Sequence, residues 1–268
     1  MANPFEPGAF AGKTVFVAGG TSGINLGMAR RFARAGANLS VISRKTENVE
    51  SAVVAIRSEG SAAMGAAADV RDYAAVDAAI AATQKAFGPI DVVISGAAGN
   101  FIAPAIGLSA NAFKTVIDID LLGTFNVFRA SFEYLRRPGA SLIAITAPQA
   151  VNPTMFQAHA CAAKAGINML TKCLAMEWGP AGVRVNGISP GAVSDTEGFN
   201  RLAPTEEIRE AFRARLPLRE IAVVDDISNA ALFLSSESGR YITGTILDCD
   251  GGAVLGDASP NALVAPKR

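Results

Sequence analysis

The chain is poor in the residues that most often announce chemistry. Its 268 residues include one histidine, three cysteines, one tryptophan and three tyrosines. Cys161, Cys173 and Cys249 show no CxxC spacing, and with a single histidine they argue against both a zinc site and a disulfide framework. No metal is therefore expected, and a reducing, cytoplasmic setting fits best. Net charge is absent too: 24 Lys and Arg balance 24 Asp and Glu without a basic run, so nucleic acid is not an expected partner. The opening MANPFEPGAF has neither a basic start nor an apolar run, and the closing APKR is not an SKL-type address, so no targeting segment is expected. Two stretches, Val92–Phe113 and Pro138–Ala163, contain no charged residue at all. Each is long enough to cross a bilayer, but Gly, Pro, Asn and Gln interrupt them, so they read as core strands and loops rather than as membrane spans.

What is present is a large apolar content, 50% of the residues, arranged in alternation. Short β-branched runs such as KTVFVAG, NLSVIS, DVVISGA, SLIAIT, VRVNGISPG and TILDCDGG are separated by helical segments. Strand–helix alternation at this spacing predicts an α/β fold, a single Rossmann-type doubly wound parallel sheet with helices on both faces, over residues 1–268. Residues 192–223 are the least regular and are the expected substrate lid.

The turn Ala18–Gly27, AGGTSGINLG, joins the first strand to the first helix. Glycines at such a turn let backbone amides approach a pyrophosphate at a helix N-terminus, so it predicts a dinucleotide site. The spacing is GxxxG, from Gly19 to Gly23, with Asn25 where a third glycine is usual; Asn tolerates unusual dihedrals, so the departure is a mild one. The end of the second strand carries Ser43 and Arg44 in place of an acidic residue. An acid there would hold ribose hydroxyls, whereas Arg44 can pair a 2′-phosphate, so NADP(H) is the expected cofactor. Lys164 is the first charge after the second silent stretch, in HACAAK.

Taken together, these segments resemble the short-chain dehydrogenase/reductase family. GGTSGI looks like its cofactor turn, Asp69–Val70 its adenine pair, SGAAG its strand-four element, Lys164 its YxxxK lysine, and NGISPG its nicotinamide segment. The resemblance implies a cofactor site built from Gly19, Thr21, Ser22, Gly23, Ile24, Ser43, Arg44, Asp69, Val70, Ala97, Lys164, Pro190, Gly191, Val193 and Thr196. It also calls for a catalytic tyrosine and serine, and the slots hold Ala160 and Ala147. The family's tetrad asparagine slot holds Asp120. That combination, with AAGNF, NAFKTVIDID, GTFNV, AMEWGP and PGAVSDTEG, resembles the 2,4-dienoyl-CoA reductases, especially the peroxisomal kind. The resemblance implies an acyl-CoA substrate, NADPH-dependent reduction to a trans-3-enoyl-CoA, Asp120 and Lys164 as the catalytic pair, and a homotetramer formed through the helices near Asn111 and His159.

The residues agree with such chemistry. A ketone reductase must protonate the carbonyl oxygen, which Ala160 cannot do. Conjugate reduction asks instead for stabilised enolate charge and a proton on carbon. Asp120 shares a helical face with Phe113, Val116, Ile117, Thr124 and Val127, an apolar stripe in which burial would favour the protonated carboxyl. Asp118 has Lys114 four residues earlier and reads as one half of a solvated pair. His159 reads as structural, with a polarising role at the substrate oxygen as the lesser alternative. Cys161 has no evident base, and Thr146 should face away from the Ala147 side of its strand. Reduction of another activated alkene or carbonyl, or cofactor binding without turnover, remain the alternatives.

Overall fold

The computed structural model describes residues 3–260 apart from residue 195. Seven parallel strands form one sheet in the order β3-β2-β1-β4-β5-β6-β7. They are β1 Thr14–Ala18, β2 Asn38–Ser43, β3 Ala63–Ala67, β4 Val92–Ser95, β5 Ser141–Ile145, β6 Arg184–Pro190 and β7 Ile246–Cys249. The principal helices are α1 Gly23–Arg34, α2 Thr46–Arg57, α3 Tyr73–Phe87, α4 Ala110–Ile117, α5 Gly123–Ser131, α6 Ala158–Trp178, α7 Glu197–Leu202, α8 Glu206–Arg215 and α9 Val224–Ser235.

The strands are short apolar runs because both faces of the sheet are covered. Side chains alternate along β1: Val15 and Val17 enter one core with Phe32, Leu39 and Ile227, whereas Phe16 and Ala18 enter the other with Ile42, Ile80 and Phe128. A fully buried side chain such as Phe16 or Phe32 contributes about 2–3 kcal/mol to holding the layers together. The order in which strands are added reverses between β1 and β4, which opens a crevice at their carboxyl ends. Register aligns Ala18 with Ser95, and Ser95 with Ala144, so the glycine turn, the loop after β4 and the loop after β5 emerge side by side.

The helical segment that carries Asp120 has a defect at its centre. Between α4 and α5, Asp118–Leu122 winds as a π-helical segment, with the Gly123 N–H reaching back to the Asp118 carbonyl. Among the described residues no helix is long and apolar enough to cross a membrane. The stretches Val92–Phe113 and Pro138–Ala163 instead hold β4 and β5, the loops that follow them and the first turns of α4 and α6.

Candidate active site

The glycine turn lies across the crevice. Gly19 has φ +75°, and a Cβ there would stand 2.8 Å from the backbone of Ala97, so no other residue fits between the two loops. Ser22 precedes α1, whose first turn carries no acidic residue, which leaves its amides and its dipole free for an anion. Thr21 and Ile24 flank this N-terminus and are half-buried, and Gly23 faces Thr196 across the cleft. Asn25 has a role that dihedral tolerance does not describe. It lies inside α1, and its side-chain amide donates to the Gly96 carbonyl at 2.8 Å and the Gly19 carbonyl at 3.3 Å. It is a staple between the turn and the end of β4.

The residues expected on the adenine side come from the ends of β2 and β3. Ser43 closes β2, and its carbonyl accepts from Ala68 N–H. Arg44 follows, exposed. Val70 is buried, and its carbonyl accepts from Asn126 at 2.9 Å. Asp69 is gripped by both arms of Arg71, at 3.0 and 2.6 Å, and this pairing holds its carboxyl below the usual carboxylate range. Arg71 is not among the residues that the sequence pattern picks out, although its place two residues after Asp69 is a readable signal.

Asp120 and Lys164 meet. Lys164 Nζ is 3.2 Å from Asp120 Oδ2 and donates to the Ile145 carbonyl at 3.1 Å, while Gly99 N–H donates to Asp120 Oδ1 at 2.7 Å. Asp120 is 1% exposed, yet it is not alone in an apolar stripe. The 3.6-residue pattern misses these partners because the π-helical turn changes which residues share a face, and because the partners come from other elements. The segment is anchored: Thr124 donates to the Asp120 carbonyl at 2.7 Å and receives a hydrogen bond from Ser95 at 3.2 Å. Gly166 lets α6 come in against Leu121 of the π-helical turn. A Cβ at that position would stand 2.7 Å from Leu121 Cδ2, so the glycine is what brings Lys164 alongside. Lys114 pairs with Asp118 on the surface, as expected.

Around this pair the two family hydroxyls are absent. Ala147 follows β5 in extended backbone, and Ala160 lies buried in the first turn of α6. Thr146 is no substitute for the serine: its hydroxyl is committed to Asn168 at 2.7 Å. Gln157, just before α6, accepts from Asn100 at 2.7 Å. His159 is fully buried against Phe101, with ring centroids 4.4 Å apart. Gln157 and Asn100 escape the sequence pattern because an uncharged amide in an uncharged stretch carries no signal of its own.

A family model described as enoyl-(acyl carrier protein) reductase matches residues 18–254. A peroxisomal 2,4-dienoyl-CoA reductase of Arabidopsis thaliana is 38% identical over 265 residues, covering 95% of this chain and 89% of its own length. The Rattus norvegicus protein of the same description is 40% identical over 251 residues, covering 93% and 86%. A crystal structure of a short chain dehydrogenase from Bacillus anthracis superposes with a TM-score of 0.82 at 34% identity, over 91% of this chain and 97% of that one. The chain belongs to the short-chain dehydrogenase/reductase family. As a member of that family it is an oxidoreductase, and the glycine turn described above fits the nicotinamide dinucleotide that the family uses.

In this short-chain reductase the remaining expected cofactor residues lie at the carboxyl end of β6. Pro190 is its buried last residue, and Gly191 packs against the backbone of Asp250. Val193 bridges to Ala222, and Thr196 caps α7, accepting from Phe199 N–H and donating to the Val193 carbonyl. The 192–223 segment is more regular than its sequence reads, since α7 and α8 occupy much of it. A cavity of about 330 Å³ there is lined by Phe199, Arg209, Arg213 and Arg219. Arg213 is already paired with Glu206 and Glu210, and the lining includes neither Asp120 nor Lys164.

Proposed function

We propose that the protein reduces 2,4-dienoyl-CoA thioesters to trans-3-enoyl-CoA with NADPH. The observation that carries this reading is the buried Asp120–Lys164 pair beside alanines at both hydroxyl positions. The relatives named as 2,4-dienoyl-CoA reductases support it.

Gly19, Thr21, Ser22, Gly23 and Ile24 would hold the pyrophosphate, Ser43 and Arg44 the 2′-phosphate, and Asp69 and Val70 the adenine, with Ala97, Pro190, Gly191, Val193 and Thr196 along the nicotinamide half. The chemistry a bound NADPH supplies is hydride, which at the far end of a conjugated diene leaves enolate charge on the thioester oxygen. Lys164 has three N–H donors, of which Asp120 and the Ile145 carbonyl take two. The third is available to ribose hydroxyls. Asp120, held by Gly99 N–H and Lys164, receives a proton from the Lys164 ammonium and passes it to the α-carbon, directly or across one water, and solvent then restores the lysine's proton. Ala160 removes the acid that carbonyl reduction needs, so ketone turnover is poor.

Residues 192–223 act as the lid that sets acyl-chain length. Exposed Phe113, Leu122 and Phe125 on the α4–α5 helix, with Met169 and Met176 on α6, supply the apolar faces of a homotetramer. The deciding assay is NADPH consumption with 2,4-hexadienoyl-CoA against a 3-ketoacyl-CoA. Turnover of the dienoyl thioester alone is the expected result, and its absence overturns the reading. Native mass spectrometry tests the tetramer.

A further inference from the structure

An enolate needs a hydrogen-bond donor at its oxygen, and the pair that supplies the proton does not provide one. Gly99 N–H is committed to Asp120, Lys164 has two protein partners, and Ala147 and Ala160 have no donor in their side chains. Beside Ala160 stands the chain's one histidine. His159 is fully buried, and among the described residues neither of its ring nitrogens has a hydrogen-bond partner. Buried polar groups are nearly always satisfied, so an imidazole with both nitrogens orphaned calls for a partner from outside the chain.

Its position relates it to the reaction. Three consecutive residues of the loop after β4 make three contacts: Gly99 holds Asp120, Asn100 bonds Gln157, and Phe101 lies against His159. Two residues of chain, at most about 7 Å, therefore separate the element touching Asp120 from the one touching the imidazole. Phe101, whose ring lies over His159, is 40% exposed, so the imidazole is covered on that side by a single surface ring. The first turn of α6 carries no acidic residue and no side-chain cap, and the positive end of its dipole favours developing negative charge there.

We propose that His159 does the work of the missing tyrosine at the carbonyl oxygen: its ring N–H hydrogen-bonds the substrate's thioester oxygen as enolate charge develops. No proton is transferred by His159; the proton that reaches carbon still comes from the Asp120–Lys164 pair. This inference rests on the dienoyl thioester reading.

The test exploits the single histidine, whose ring ¹⁵N signals need no assignment. In protein loaded with NADP⁺, where no hydride is available, adding 2,4-hexadienoyl-CoA shifts a ring ¹⁵N resonance, and adding free CoA does not. His159→Phe keeps an aromatic ring against Phe101 and lowers kcat for 2,4-hexadienoyl-CoA about 10²-fold, the effect of losing one oxyanion donor. His159→Gln retains an N–H and recovers to within about tenfold of the native rate. An unmoved imidazole, or a fully active His159→Phe, overturns the proposal while the dienoyl reading stands. If the native protein fails to turn over 2,4-hexadienoyl-CoA, the dienoyl reading falls and this inference with it. Should His159→Phe not fold, the resonance shift in the native chain decides.

Discussion

Two aspartates of this protein are almost equally buried and are put to different uses. Asp91, at the start of β4, is 4% exposed and accepts from Lys13, Arg136 and Thr14 N–H, at 3.0, 2.6 and 2.9 Å. Asp120, beyond the carboxyl ends of the strands, is 1% exposed and has Lys164 and Gly99 N–H. The cations on Asp91 are about half in water, at 47% and 43% side-chain exposure, whereas Lys164 is at 11%. Asp91 ties β1 to the residues after α5 at the amino edge of the sheet, away from the crevice. Asp120 sits at the edge where such folds bind ligands. Burial and pairing alone do not single out a carboxylate as a catalytic candidate; its place at the carboxyl edge of the sheet does.

The comparison is broken most directly by neutralising each acid in turn. Asp120→Asn is expected to lower kcat for 2,4-hexadienoyl-CoA by about 10²–10⁴-fold, the usual range for losing a positioned acid, while NADPH still binds. Stopped-flow turnover and a fluorescence titration check both halves, and an unchanged rate would remove Asp120 from the mechanism. Asp91→Asn is expected to leave the rate per folded molecule alone and to cost about 2–3 kcal/mol of stability in urea unfolding, less than a fully dry pair would because its cations reach water. A catalytic defect in the soluble Asp91→Asn protein would erase the distinction between the two edges.

Smaller effects sharpen it. Arg44→Ala is expected to weaken NADPH binding about 10–100-fold and NADH binding hardly at all, since only the former carries a 2′-phosphate. Equal losses for the two cofactors would assign the phosphate to another residue. The smallest effect lies on the surface, where Arg34 and Arg30 clamp Glu59 and bring its carboxyl down to about 2. A carboxyl whose folded value is depressed stabilises the fold above its unfolded value of 4.5 and loses that contribution as pH falls toward about 2. Acid unfolding of Glu59→Gln should therefore be flatter than that of the native chain in this window, and identical curves would show that the pair adds nothing.

Much of this protein is legible in its sequence, and the reasons are local. Strands buried on both faces must be short apolar runs, the turn facing a pyrophosphate must be glycine-rich, and an absent hydroxyl is visible as Ala147 or Ala160. The α/β architecture, the place of the dinucleotide turn and the surface pair Lys114–Asp118 follow from such patterns. The same local logic fails at Asn25, whose purpose is a hydrogen bond to a strand far along the chain. Arg71, by contrast, pairs Asp69 only two residues away and was within reach of the same local logic.

What the sequence by itself determined is therefore which groups exist and which elements carry them: one lysine ending a silent stretch, one aspartate in a family asparagine's place, one histidine, and two missing hydroxyls. Only the tertiary structure decided which of them meet. A helical period predicts neighbours within a few residues, whereas the contact between Asp120 and Lys164 depends on a π-helical turn, a glycine on α6 and a backbone amide from the β4 loop arriving together. Packing between elements has no period, and the Asp120–Lys164 pair is made by packing.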